Sequence, residues 1–286
     1  EENPYQFVID IEGFGFRTAD AIATQKGVPI DHPSRIDAGC LYVLEQSIQD
    51  GHVYLPLAEC IHQTKILLSK HISETQINER LQKLHENEKI VIKNEQVYLP
   101  SLYFAEEGFA QNLHRLTTTR VETEMTEAEL LKIIGNLEEV EAISYGEEQY
   151  EAIKQALTNK VMILTGGPGT GKTTVIKGIL HAYATIHKIP YDIDVYEDRS
   201  AYPFILAAPT GRAAKRLQES TGLPATTIHR LLGWNGQNHF DKNEHDPLMG
   251  KYLVIDEFSM VDIWLANHLF KAIPDDMQVL LVGDDD

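Results

Sequence analysis

The sequence predicts an α/β domain with a mostly parallel sheet, preceded by a mainly α-helical region. Three observations predict it. Short apolar runs at 161–164, 204–208, 251–255 and 278–282 alternate with helical stretches, as in strands joined by crossover helices. The first run leads into Gly166-x-x-x-x-Gly171-Lys172-Thr173 and then a helix. Before residue 117 the apolar residues fall mostly three to four apart, with one short polar-turned hairpin pattern.

The run Val161-Met162-Ile163-Leu164 reads as a short buried strand. The loop after it, Gly167, Pro168, Gly169, Thr170, Gly171, Lys172, Thr173 and Thr174, has the P-loop NTPase pattern. Glycines let backbone N–H groups converge on phosphate oxygens without Cβ clashes. A helix starting near Lys172 aims its positive end at the same anions. Lys172 is placed to reach the outer phosphates, and the Thr173 hydroxyl to ligate Mg²⁺. The implied ligands are ATP and Mg²⁺.

The chain has 286 residues, enough for two or three domains, and 43% hydrophobic residues, enough for real cores. No run of 18 apolar residues suggests a membrane span, and no basic-then-apolar start suggests a signal peptide. The first residues, Glu1-Glu2-Asn3-Pro4, suggest a processed or truncated piece. Cys40 and Cys60 fit a reducing cytoplasm. Cys60-x-His62 with His52 nearby lacks the C-x-x-C pair that would support zinc. A net charge of −18 argues against a general polyanion binder, so nucleic-acid contact must be local.

In chain order, Asn3-Pro4 predicts a helix start, with Phe7, Val8 and Ile9 following. Gly13-x-Gly15 then makes a tight turn, and a second helix carries Ala19, Ile22 and Ala23 on one face. This resembles a helix-hairpin-helix element, whose turn amides hold a DNA phosphate in that family. Gly13 and Gly15 are the candidate contacts, and a purely packing role stays open. A helix over 33–50 carries Ile36, Cys40, Val43, Leu44 and Ile48. Residues 51–56 read as strand and 57–68 as helix. Ser73 with Gln76 forms a capping box, opening a helix with Ile77, Leu81, Leu84 and His85 on its stripe. Residues 88–99 read as a hairpin turning at Asn94-Glu95, which makes the unit winged-helix-like. Next comes a helical stretch with Phe104, Phe109, Leu113 and Leu116 as core candidates, broken near 117–119. The acidic helix over 122–141 reads as a solvated connector. The expected segments are 1–70, 71–116, 117–145 and 146–286.

In the last segment Gln149 opens a helix, and its amide has the donor and acceptor an adenine edge requires. Residues 191–202 read as an insertion. The strand at 204–208 runs into Thr210-Gly211-Arg212, a basic helix start suited to strand phosphates. His229, in Thr227-Ile228-His229-Arg230-Leu231-Leu232, can stack on a base or bind a phosphate. Asp256 and Glu257 end an apolar strand, placed to hold Mg²⁺ and to deprotonate the attacking water. Asp284 follows the last strand, where a group sensing the γ-phosphate fits.

Gly-Gly-Pro-Gly-Thr-Gly-Lys-Thr-Thr (166–174), Ala-Pro-Thr-Gly-Arg-Ala-Ala (208–214), Thr-Ile-His-Arg-Leu-Leu (227–232), Asp-Glu-Phe-Ser-Met-Val-Asp (256–262) and Val-Gly-Asp-Asp-Asp (282–286) together resemble the RecD-type DNA helicases of superfamily 1. The helical and winged-like region before them resembles the stand-alone members. The resemblance implies a RecA-like motor domain and ATP-driven 5′→3′ movement on single-stranded DNA up to a duplex junction. It makes Lys172, Thr173, Asp256 and Glu257 the ATP and magnesium residues, with Gln149 on adenine, and makes Thr210, Gly211, Arg212 and His229 strand contacts. Family members also carry an amino-terminal domain and a second motor domain in cis, whose arginine stabilises the transferring phosphoryl group. A chain lacking these is expected to bind nucleotide, hydrolyse it poorly and unwind nothing. Phe258 stands where the family often has a small residue. Two other classes stay open: another P-loop ATPase, against which the basic helix start speaks, and a non-catalytic DNA-binding scaffold.

Overall fold

A computed structural model describes residues 5, 15–68, 71–121, 125–167, 169–236 and 239–284. Gly13, Pro168 and the helix expected over residues 3–9 lie outside the described residues. The chain divides into two compact units, 1–107 and 108–286, where the sequence suggested four segments.

The first unit is built from α1 (Phe16–Gln25), α2 (Pro33–Gln49), β1 (Leu55–Pro56), α3 (Leu57–Leu68), α4 (Glu74–Glu86), β2 (Val91–Lys93) and β3 (Gln96–Tyr98). Phe16, Ala19 and Ala23 form the buried stripe of α1, and Ile22 falls off it. Ile36, Cys40, Val43 and Leu44 are buried along α2, while Ile48 lies at the margin. Burial pushes the Cys60 thiol up to about 12, so it behaves as a small apolar side chain. Ser73 and Gln76 make both bonds of the capping box on α4. His85 is exposed and off the α4 stripe. Its Nδ1 instead accepts from the Ile92 N–H at 3.3 Å. The hairpin β2–β3 turns on Asn94 and Glu95, both with positive φ, as a two-residue hairpin requires. β1 adds a third, antiparallel strand beside β3.

Ile36, Leu68, Ile72, Leu81, Ile90 and Val97 belong to one core, which is why the boundary expected near residue 70 disappears. Arg35 braces that core. It donates to both carboxylate oxygens of Asp20, at 2.7 and 3.0 Å, and to the carbonyls of Ile30 and Leu68. Burial opposes ionisation of Asp20, but Arg35 and the Tyr5 hydroxyl win and hold it below the ordinary carboxylate value.

The boundary between the units falls within α5 (Pro100–Thr118). The second unit continues with α6 (Glu127–Glu141), α7 (Glu147–Thr158), β4 (Val161–Thr165), α8 (Lys172–His187), β5 (Phe204–Ala208), α9 (Gly211–Thr221), β6 (Ala225–Thr227), α10 (Ile228–Leu231), β7 (Tyr252–Ile255), α11 (Ile263–Lys271) and β8 (Gln278–Gly283). The five strands pair in parallel in the order β4-β8-β7-β5-β6. Side chains alternate across the sheet. Leu206, Val254, Leu280 and Val282 join one core with α8 and α7. Ala207, Leu253, Ile255, Val279 and Leu281 join another with α11.

Several expectations change here. α6 is not a free connector: Leu130, Ile134 and Leu137 are buried, and the first two lie in the core against α8. β4 is not buried throughout. It is an edge strand among the described residues, so Ile163 is 67% exposed and only Leu164 is buried. Phe104 is 62% exposed, whereas Leu116 is fully buried and Phe109 and Leu113 pack against its core. Residues 191–202 form two short 3₁₀ turns, with Tyr202 packing edge-on to Phe204 and Tyr191 stacked on His181.

Arg35→Ala should destabilise the first unit by about 3 kcal/mol, because it strands a half-buried carboxylate. Asp20 titrates below its unfolded value of 3.8, so the stabilisation is present above that pH and fades as pH falls through the folded value. Urea unfolding at pH 7 and pH 3 should therefore show a large deficit at pH 7 that narrows at pH 3. An equal deficit at both would contradict this account.

Candidate functional site

The five strands end on one side of the sheet, and their following loops gather there. This is the usual position for ligands in open parallel α/β sheets. A cavity of about 570 Å³ opens at this edge. The loop after β4 lines it with Gly167, Gly169, Thr170, Gly171, Lys172 and Thr173. The turn after β7 adds Asp256 and Glu257, and the end of β8 adds Gly283 and Asp284.

Local chemistry explains the loop's shape. Gly169 and Gly171 have φ of +81° and +85°, values that side chains rarely adopt. The Thr170 hydroxyl donates to the Gly167 carbonyl at 2.9 Å and closes the turn. Lys172 opens α8, and its Nζ donates to the Gly166 carbonyl and, at 2.6 Å, to Asp284 Oδ1. Lys172 and Asp284 are 112 residues apart in sequence, and the parallel pairing of Thr165 with Gly283 brings them together.

Asp256 follows β7, and its N–H donates to the Ala207 carbonyl at 2.9 Å, extending the ladder. Its carboxylate accepts from the Glu257 N–H at 3.0 Å. Glu257 itself is left-handed, with φ +54°, an uncommon state for a side-chain-bearing residue that turns the chain off the strand. Burial pushes the Asp256 carboxyl above its ordinary value, and the Glu257 charge adds to this. The Glu257 N–H and the charges of Lys172 and Arg216 pull the other way. A cation between these acids would relieve that cost.

Of the expected nucleotide residues, Gln149 and Thr174 do not line the cavity. Gln149 accepts from the Gly146 N–H at 3.0 Å, capping α7, and donates to the Thr170 carbonyl at 3.2 Å. Both halves of its amide are thus occupied by the fold, one of them bracing the loop.

Four of the expected DNA contacts, Thr210, Gly211, Arg212 and His229, follow the other two strands. Thr210 follows β5, and its hydroxyl accepts from the Ala213 N–H at 3.2 Å, capping α9. Gly211 and Arg212 are exposed beside it. His229 follows β6, half-buried, with its ring 5.9 Å from Trp234 and 6.1 Å from Phe240. Gly15 precedes α1 with open space where a Cβ would stand. The sequence reading missed Ala213, Arg216, Leu217 and Ser220, which line the cavity from α9. Their spacing of three and four marks one helix face, but the basic start of that helix drew attention to DNA alone.

Known protein families match this chain near both of its ends. The family model described as the ATP-dependent RecD2 DNA helicase HHH domain matches residues 1–54, and an AAA domain model matches residues 149–286. The ATP-dependent RecD2 DNA helicase of Deinococcus radiodurans is 31% identical over 293 residues, covering 97% of this chain and 38% of that protein. Over nearly its whole length the chain is similar to a RecD-type helicase. The RecBCD enzyme subunit RecD of Mycolicibacterium smegmatis is 37% identical over 158 residues, covering 49% of this chain and 27% of that subunit. That of Mycobacterium tuberculosis H37Rv is 36% identical over 156 residues, covering 49% and 26%. The chain thus spans well under half the length of these relatives.

Gly171→Ala should damage this site in two ways. A Cβ there would sit 2.5 Å from Gln149 Nε2, on a backbone that alanine adopts at a cost of about 1–2 kcal/mol. The expected result is a lower thermal midpoint and at least a roughly tenfold loss of Mg-ATP affinity, a factor worth about 1.4 kcal/mol. Unchanged binding in a titration would show that the loop's shape is not what receives phosphate.

Proposed function

We propose that this chain is the ATP-binding core of a DNA helicase that moves 5′→3′ on single-stranded DNA and opens duplex at a junction. One observation carries the reading. The strand order separates two sets of residues: the strands β4, β8 and β7 deliver the phosphate loop and the acids, while the neighbours β5 and β6 deliver Thr210–Arg212 and His229.

The roles follow from the side chains. Lys172 exchanges Asp284 for the outer phosphates, and the loop amides hold the inner ones. The Thr173 hydroxyl and Asp256 hold Mg²⁺, which fits a cavity lined by three carboxylates and only two cationic side chains. Bound there, the ion screens the phosphate charge. Glu257 orients the attacking water and accepts its proton, and Asp284, released from Lys172, senses the γ-phosphate. Gln149 meets adenine by giving up its bonds to Gly146 and Thr170.

On the DNA side, the amides at the start of α9 and Arg212 grip backbone phosphates, and His229 offers a ring edge to a base. Gly15, at the start of α1, offers its amide to a phosphate, as the helix-hairpin-helix reading requires. Hydrolysis and unwinding belong to the longer protein, where a second motor domain in cis supplies the arginine for the transition state, an effect of about 10³–10⁵ in rate.

The test is ATP turnover by the longer protein with and without single-stranded DNA. DNA should stimulate wild-type turnover. Glu257→Gln should reduce it by about 10³ or more, the scale of a lost general base with its ordered water, and leave nucleotide binding intact. Arg212→Ala with His229→Ala should blunt the stimulation without changing the basal rate. Turnover indifferent to DNA would defeat the proposal.

A further inference from the structure

Helix α9 presents a second face that the DNA reading does not use. Ala213, Arg216, Leu217 and Ser220 turn toward the phosphate cavity, while Lys215 pairs with Glu219 at 3.7 Å elsewhere on the helix. Ala213 and Leu217 are buried, and the Ser220 hydroxyl donates to the Leu217 carbonyl at 3.1 Å. Arg216 differs from all of these. Among the described residues no hydrogen bond or ion pair engages its guanidinium, although it lines the same cavity as Asp256, Glu257 and Asp284. The other cation of the lining, Lys172, is committed to loop carbonyls and Asp284. Among the described residues, an exposed arginine with no local partner, beside a cavity otherwise rich in carboxylates, is placed for a polyanionic ligand whose oxygens its forked N–H donors can meet.

We propose that Arg216 is a nucleotide-binding residue that grips the terminal phosphate of the bound triphosphate. The proposal rests on the ATP reading above and adds a residue to it. The terminal phosphate is singled out by position. The glycine amides and the start of α8 serve the phosphates nearest the loop, whereas Arg216 comes from the β5 side, and its charge is felt by the Asp256 carboxylate. Because α9 is a single helix of 11 residues whose start carries Thr210 and Arg212, the same rigid element would meet the nucleotide on one face and DNA at its end.

The test is a fluorescence titration of residues 1–286 with Mg²⁺ and labelled ATP or ADP, comparing wild type, Arg216→Ala and Arg216→Lys. Arg216 is exposed, so both variants should keep the wild-type thermal midpoint without nucleotide. Arg216→Ala should weaken ATP about tenfold, the scale of a charge-assisted bond, and ADP less than about twofold. Arg216→Lys should recover part of the loss. Equal losses for ATP and ADP, or no loss for either while wild type binds normally, would overturn the assignment. Failure of wild type itself to bind would instead overturn the ATP reading, and this proposal with it.

Discussion

The site depends on one lysine and on how its charge is satisfied. The Lys172 ammonium sits between the carbonyls of its own loop and the Asp284 carboxylate. That contact ties the end of β4 to the end of β8, and the parallel register of the two strands sets the distance. The pair is only partly buried, so exchanging the carboxylate for phosphate is affordable: one anion replaces another at the same donor. A phosphate that took the place of Asp284 on Lys172 would couple occupancy of the loop to the far strand.

Around this contact the sheet distributes charge. Asp256 and Glu257 are adjacent, burial makes the first reluctant to ionise, and once ionised the acids by themselves oppose a polyanion. Cations would resolve the conflict: Lys172 and Arg216 line the same cavity, and a divalent ion would be held by the carboxylates. The left-handed Glu257 belongs to the same arrangement. Its backbone turns sharply after β7, so two consecutive acids can serve different tasks instead of pointing to opposite faces of a strand.

Much of this was legible in the sequence because the relevant signals are local. The glycine spacing of 166–171, the capping box at Ser73 and the polar turn at Asn94-Glu95 each specify a backbone shape within a few residues. Signals that depend on distant partners were not legible. Strand composition cannot say that β4 lies at an edge, so Ile163 read as buried. The charge of α6 hid an apolar face, Leu130 and Ile134, that needs α8 to cover it. Gln149 read as a ligand contact, and the bonds its amide makes to Gly146 and Thr170 were not legible. Arg216 was overlooked because its significance comes from β7 and β8, which follow α9 in the chain.

The central claim is that Lys172, at the mouth of one strand–helix junction, receives a magnesium-bound triphosphate. Calorimetric titration of residues 1–286 with ATP and Mg²⁺ tests it directly, beside Lys172→Ala under the same conditions. The account predicts saturable one-site binding by wild type and its loss, by about a hundredfold or more, in the variant, as expected when a charge-assisted contact is removed inside a phosphate site. Binding of the same strength in both proteins, or none in wild type, would contradict it.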